Sequence, residues 1–163
     1  MKTLLLIRHA KSSWENFAIG DQERPLNERG KKNAPEMAKR LLKKKINIDA
    51  FMSSPATRAR STAEYFAKAY GIDPDRIEII PDLYMASPAV FTQTIRSAPP
   101  AAGTIAVFSH NNGITAYANL ISDARIDNMP TCSIFAVKCH IPDWSAFQPK
   151  NNEFYFFDYP KSE

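Results

Sequence analysis

Short apolar runs alternate with longer amphipathic segments over most of the chain. Four of these runs are bounded by polar or turn-forming residues, which is typical of strands buried on both faces of a sheet. They span residues 3–7, 48–53, 77–80 and 104–109. The pattern therefore predicts four strands, and the segments between them have apolar residues at helical spacing.

The intervening segments predict four helices, over residues 27–45, 54–70, 88–97 and from about 111 to 121. Asn27 is a residue type that caps a helix, and lysines gather at the far end of the same segment, where they suit the helix dipole. Ser54 and Pro55 fit the N-cap and the first position of the second helix. Gly71 is expected to end that helix.

The last third of the chain has a different pattern. Segments 133–138 and 154–159 are rich in β-branched and aromatic residues, and a loop containing Pro142 and Trp144 separates them. They predict a hairpin at the edge of the sheet. The aromatic residues 154–157 could face the core or a partner, and the core is the favoured interpretation. Together the elements predict one α/β domain over residues 1–163, with a mainly parallel central sheet and helices on both faces. Ligands bind such sheets beyond the carboxyl ends of the strands.

Composition and charge exclude several classes of function. The 163 residues are 44% hydrophobic and 23% charged, with a net charge of +4. The basic residues are not interleaved with aromatic ones, so nucleic acid is not an expected partner. No apolar stretch reaches the ~18 residues of a membrane span, and the first apolar run is too short for an export signal, so the expected location is the cytoplasm, away from any membrane. Cys132 and Cys139 match no common zinc spacing and predict neither a disulfide nor a metal site.

Titratable side chains directly follow two of the predicted strands. Arg8 and His9 follow the first strand, and His110 follows the fourth. Two histidines at one rim can belong to a metal site, to an acid/base pair, or to a nucleophile with a supporting group, but no third metal ligand stands at a motif spacing. Arg8 could also form a structural salt bridge. His140 lies in the late β region and is expected to be structural.

Arg58 strengthens the case for an anion at this rim. It lies near the start of the second predicted helix, where a cation opposes the helix dipole, so either a bound anion or an acidic partner elsewhere is expected. Arg8 and Arg58 could hold the oxygens of a phosphoryl group while one imidazole attacks the phosphorus. The residues thus point to phosphoryl chemistry without a metal.

Four sequence blocks resemble those of the histidine phosphatase superfamily, in the order in which that family has them. They are RHAKSSW at 8–14, RPLNERG at 24–30, SSPATRARST at 53–62 and SHN at 109–111. The first two blocks are similar to the SixA-like phosphohistidine phosphatase branch. The resemblance implies a three-layer α/β/α sandwich like that of phosphoglycerate mutases, and no metal or organic cofactor. It also implies that His9 is the nucleophile, that Arg8 and Arg58 bind phosphoryl oxygens, and that His110 stabilises the transferred group.

Three positions depart from the family pattern. Ala10 replaces the usual glycine, and Glu15 stands where mutase-like members have asparagine. Met85 stands where many members have an acidic proton donor, which leaves Asp82 as the possible donor. Loss of a general acid costs typically ~10²–10⁴-fold in rate for a poor leaving group. The expected substrates are therefore activated phosphates.

The sequence predicts a phosphatase that forms a phosphohistidine intermediate and acts on protein phosphohistidine or another activated phosphate. Its partner is expected to be a phosphorylated protein or a small phosphorylated molecule. One alternative is a general small-molecule phosphomonoesterase that uses Asp82 as its acid. Another, of a different class, is a weakly active phosphate-binding regulatory protein.

Overall fold

The computed structural model, which describes residues 1–16 and 18–161, has a six-stranded mixed sheet between two layers of helices. The strands are β1 (Lys2–Arg8), β2 (Ala50–Ser53), β3 (Ile77–Ile79), β4 (Thr104–Ser109), β5 (Ile134–Cys139) and β6 (Glu153–Asp158). The main helices are α1 (Glu28–Lys43), α2 (Thr57–Ala69), α3 (Pro88–Arg96) and α4 (Gly113–Ile121). The strand order is β3-β2-β4-β1-β5-β6, and the first four strands of that order are parallel. The predicted α/β sandwich with a mainly parallel sheet is confirmed.

The two faces of the sheet carry separate hydrophobic cores, which explains why the strands are continuous apolar runs. Leu4 and Leu6 of β1 pack with residues of α3 and α4, whereas Leu5 and Ile7 pack with residues of α1 and α2. All four side chains are fully buried. Successive strand residues point to opposite faces, so a strand covered on both sides needs an apolar residue at every position.

The start of α2 differs from the prediction. Asn27 caps α1 as expected, since its side chain accepts a hydrogen bond from the backbone N–H of Gly30. Ser54, however, does not cap α2, which begins three residues later at Thr57. The Ser54 Oγ instead lies 2.7 Å from the Nε2 of His110, so a tertiary contact takes the hydroxyl that the local pattern assigned to a cap. Gly71 follows α2 with a φ of +67°, as its predicted role requires.

The C-terminal hairpin is only partly at the edge of the sheet. β5 lies between β1 and β6, antiparallel to both, so β6 alone forms that edge. The expectation that the aromatic segment faces the core was wrong for its first half, because Phe154 and Tyr155 are 45% and 39% exposed. Within the part of the chain that the structure describes, no helix combines the length and apolar character that a membrane crossing requires.

The loop that follows β1 is held by close backbone contacts with the segment just before α1. The backbone N–H of Asn27 donates to the carbonyl of Lys11 over 3.0 Å, and Ser12 forms an isolated antiparallel bridge with Leu26. A Cβ added to Gly30 would lie 2.2 Å from the Lys11 carbonyl oxygen, so only glycine fits there. The RPLNERG block therefore closes this loop beside the end of β1.

Candidate active site

The four residues that the sequence singled out meet at the carboxyl ends of two neighbouring parallel strands. Arg8 ends β1 and is paired in register with Ser109 at the end of β4, so His9 and His110 follow side by side. Their ring centroids are 5.2 Å apart. Arg58, the second residue of α2, joins them around a cavity of about 210 Å³. The other lining residues are Lys11, Ser12, Trp14, Arg24, Asn111 and Thr131.

His9 is neutral and has one ring nitrogen free for attack. Its Nδ1 lies 2.7 Å from the carbonyl oxygen of Ala10. A carbonyl only accepts, so Nδ1 carries the proton and Nε2 carries the lone pair. Burial, opposed by the hydrogen bond to Ala10 and assisted by His110, Arg58 and Arg8, lowers the pKa of His9 to about 3. A neutral imidazole with a fixed tautomer is the form that a nucleophile needs.

In His110 the other ring nitrogen makes the hydrogen bond. Its Nε2 lies 2.7 Å from the Ser54 Oγ, and that Oγ accepts a hydrogen bond from the backbone N–H of Ala56. Among the described residues the Ser54 hydroxyl has no acceptor other than Nε2 of His110, so its proton is assigned to that nitrogen and the ring proton to Nδ1. Burial, with Arg58 next, lowers the pKa of His110 to about 4. His110 is therefore a neutral hydrogen-bond donor.

Three buried N–H groups of the cavity-lining residues have no hydrogen-bond partner among the described residues: Arg8 Nε, Arg58 Nε and His110 Nδ1. Arg8 is anchored by another nitrogen, since its Nη1 donates to the carbonyl of Met129 over 2.8 Å. Burial and the charge of Arg58 lower the pKa of Arg8. A buried donor without an acceptor is costly, and charged oxygens are the strongest acceptors for such donors.

Asp21 is a site residue that sequence reasoning missed. Its carboxylate accepts hydrogen bonds from Arg24 Nε at 3.1 Å, from Arg58 Nη2 at 2.9 Å and from the Tyr84 hydroxyl. The Tyr84 hydrogen bond, followed by those of Arg58 and Arg24, holds the pKa of Asp21 well below its usual range. Asp21 is thus ionised at neutral pH and is no proton donor. Its spacing of three residues from Arg24 was the one local signal for this ion pair.

Asp82 does not line the cavity. It is an exposed residue of the short 3₁₀ helix Pro81–Leu83. Within residues 1–16 and 18–161, no Asp or Glu lines the cavity. Its donor role stays a prediction. His140 is also remote from the cavity and pairs with Glu153 at the surface. In the described part of the chain, no three His, Cys, Asp or Glu residues lie close enough together to hold a metal ion.

The substitution of Ala10 for the usual glycine causes no strain. Ala10 is fully buried and is not among the residues with positive φ. Its backbone N–H donates to Thr62 Oγ over 2.9 Å, and that hydroxyl donates to the carbonyl of Arg58 over 2.7 Å. Thr62 therefore ties the turn after His9 to the first turn of α2, and so fixes His9 relative to Arg58.

Known proteins resemble the chain in sequence and in fold. Residues 4–84 match the sequence profile of the Histidine phosphatase superfamily (branch 1). An uncharacterized chloroplastic protein of Arabidopsis thaliana is 30% identical over 151 residues, which cover 88% of this chain and 69% of that protein.

Two solved structures match nearly the whole chain. The putative phosphohistidine phosphatase SixA from Agrobacterium tumefaciens has a TM-score of 0.80 and 24% identity, over 98% of this chain and 99% of that one. The protein histidine phosphatase SixA complexed with tungstate has a TM-score of 0.79 and 20% identity, over 95% of each chain. The chain belongs to the histidine phosphatase superfamily and is a phosphatase.

Proposed function

We propose that this protein is a metal-independent phosphatase that transfers the phosphoryl group of its substrate to His9 and then to water. Its proposed substrates are protein phosphohistidine and similarly activated phosphates. The observation that carries the proposal is the set of unpartnered buried N–H groups of Arg8, Arg58 and His110 around one cavity with the neutral imidazole of His9. These groups match the needs of phosphoryl transfer, which depends on positioning and on stabilisation of negative charge.

In the first step, the Nε2 of His9 forms a bond to phosphorus and the bond from phosphorus to the leaving group breaks. Arg8, Arg58 and His110 donate to the three phosphoryl oxygens as charge redistributes over them. His9 becomes positively charged, and its Nδ1–H···O bond to the carbonyl of Ala10 stabilises that charge. In the second step, water attacks phosphorus and the bond from phosphorus to Nε2 of His9 breaks. Both protons of the water leave with the phosphate, and His9 returns to its neutral form.

The substrate class follows from the leaving group. Asp21 is ionised, and no Asp or Glu occurs among the described residues that line the cavity, so an alkoxide would leave without a protonated carboxyl group to assist it. The imidazole of phosphohistidine can be protonated on its other nitrogen before the P–N bond breaks, and it then leaves as a neutral ring. The absence of a nearby acid therefore favours phosphoramidates and other activated phosphates.

The comparisons support the same proposal. SixA, the structural relative with bound tungstate, carries a tetrahedral oxyanion that resembles phosphate, and it is described as a protein histidine phosphatase. A cavity of only about 210 Å³ suits one phosphorylated side chain presented by a protein better than a large small-molecule substrate.

The test is phosphate release at neutral pH from a phosphohistidine-bearing protein and from a phosphoserine peptide. We expect the wild type to cleave phosphohistidine at least ~10²-fold faster, because general-acid assistance is worth that much for the poorer leaving group. His9→Ala should abolish release. His140→Ala, which removes an exposed histidine remote from the cavity, is the matched control and should match the wild type.

Two outcomes would overturn the proposal. Equal rates on both substrates would favour a general phosphomonoesterase with a proton donor such as Asp82. No turnover of either substrate by a protein that still binds tungstate would favour a phosphate-binding regulatory protein.

A further inference from the structure

The guanidinium of Arg58 is held from one side by a single residue of the loop after β1. Its Nη1 donates to the backbone carbonyl of Asp21 over 2.6 Å, and its Nη2 donates to the Asp21 Oδ2 over 2.9 Å. These two contacts occupy the end of the guanidinium that is farthest from the Arg58 backbone. The side chain of Arg58 is only 7% exposed, so it has little freedom to adopt another orientation.

The contacts with Asp21 leave a second edge of the guanidinium available. A guanidinium has five N–H bonds in one plane, and the Nε–H and one Nη2–H lie side by side along one edge. The Nε of Arg58 is buried and has no partner among the described residues. An edge of two parallel N–H bonds matches two oxygens of one phosphoryl group.

Asp21 is itself held by groups other than Arg58. Arg24 Nε donates to its Oδ1, and the Tyr84 hydroxyl donates to its Oδ2. Arg24 is anchored in turn, since its Nη1 donates to Ser12 Oγ over 2.6 Å and its guanidinium stacks 3.5 Å from the ring centroid of Trp14. The carboxylate is thus oriented before any substrate arrives.

We propose that Asp21 is a positioning residue that fixes the end of the Arg58 guanidinium, so that the Nε–Nη2 edge faces the phosphoryl oxygens. The inference deepens the proposed function and rests on its phosphate site. Asp21 does not contact the phosphoryl group, and it acts on the reaction through Arg58. A preoriented arginine loses less conformational freedom when it binds an anion, so binding is tighter than with a mobile side chain.

The proposal predicts an effect opposite in sign to simple electrostatics. A carboxylate beside an anion site repels the anion, so its removal should tighten anion binding if charge alone mattered. The same tightening is expected if the Asp21 carboxylate occupies the place of the phosphoryl group and has to be displaced. If Asp21 positions Arg58, its removal instead weakens anion binding.

The experiment is calorimetric measurement of tungstate binding at equilibrium, which does not require turnover. We expect Asp21→Ala to weaken binding about 10-fold, and Asp21→Asn, which keeps the size and an accepting oxygen, to weaken it about 3-fold. Asp75→Ala removes one exposed negative charge that lies outside the cavity lining and is the matched control. In an Arg58→Ala background, Asp21→Ala should change the affinity by less than about 2-fold, because a residue that acts through Arg58 has no effect without it.

The outcomes separate this inference from the proposed function. Tighter binding by Asp21→Ala or Asp21→Asn would overturn the inference, and so would an undiminished effect of Asp21→Ala in the Arg58→Ala background, which a purely structural role would give. If Asp21→Ala does not fold, Asp21→Asn carries the same test of sign and of coupling. Unchanged tungstate binding by Arg58→Ala alone would overturn the phosphate site itself.

Discussion

The ends of β1 and β4 carry the same residue type in the same setting, yet they hold it differently. His9 and His110 each follow a buried parallel strand, each is about nine-tenths buried or more, and burial lowers the pKa of each well below 6.5. The carbonyl of Ala10 binds Nδ1 of His9, whereas the hydroxyl of Ser54 binds Nε2 of His110. One ring is left with a free lone pair and the other with a free N–H.

This difference shows that the neighbour of an imidazole, and not its position on the strand, assigns its chemical role. Two neutral histidines 5.2 Å apart could in principle exchange functions. A backbone carbonyl cannot donate a hydrogen bond, so Nδ1 of His9 must carry the proton. The Ser54 hydroxyl has no other acceptor among the described residues, so its proton is assigned to Nε2 of His110. The proposed attack by His9 and the proposed donation by His110 rest on these two contacts.

Trapping of the phosphoenzyme tests the different roles proposed for His9 and His110. It has the largest expected effect. His9→Ala should form no acid-labile phosphoenzyme from a labelled activated phosphate, because the other histidine of the described cavity lining, His110, has its lone pair bound to Ser54. His110→Ala should still form it, but about 10²–10³-fold more slowly, which is the usual cost of losing one donor to developing negative charge. Rapid quenching into alkali, where phosphohistidine survives, measures both rates. Label on the His9→Ala protein at the wild-type level would contradict the assignment of roles.

The part of this comparison that could be predicted from the sequence is the part set by local pattern. Arg8-His9 and Ser109-His110 stand out because two apolar runs end abruptly in polar residues, and strand ends of a parallel sheet meet at one rim. The side chain of Ser54 looked like a helix cap because its true partner, His110, is 56 residues away. Such a contact depends on the path of the chain and leaves no local signal.

Asp21 was missed for a related reason. It lies in a polar loop without periodicity, and its partners Arg58 and Tyr84 are 37 and 63 residues away in sequence. Only the short-range pair with Arg24 was visible, and exposed pairs at this spacing usually contribute little. The sequence could predict which residues meet at the cavity, but not which neighbours orient them.

The pH dependence of stability tests whether His9 and His110 are both held neutral by burial. The expected effect is of intermediate size. Well above pH 6.5 both histidines are neutral in the folded and unfolded chains. As the pH falls below 6.5 the unfolded chain binds protons that the folded chain excludes, so the free energy of unfolding decreases until the folded pKa values of about 4 for His110 and about 3 for His9 are reached. The limiting slope is about 1.4 kcal/mol per pH unit for each histidine.

Urea unfolding at a series of pH values between 7.5 and 4 measures this slope. His110→Ala and His9→Ala should each reduce this slope by the contribution of about one proton, up to about 1.4 kcal/mol per pH unit. His140→Ala is the control for loss of an exposed histidine. A slope that is the same in wild type and in both cavity variants would show that the two rings are not held neutral by burial.

The smallest expected effect concerns the tether of His110. Ser54→Ala removes the hydroxyl that donates to Nε2, so the ring should populate both tautomers and kcat/KM should fall about 3–10-fold, close to the worth of one hydrogen bond. Nitrogen chemical shifts of His110 report the tautomer directly, with the proton on Nδ1 in the wild type and on both nitrogens in the variant. Ser53→Ala is the matched control, because it removes a neighbouring buried hydroxyl that donates to the Ser54 carbonyl and does not bind His110. If the proton stayed on Nδ1 in Ser54→Ala, Ser54 would not be the residue that makes His110 a donor, and the contrast between the two strand ends would need another cause.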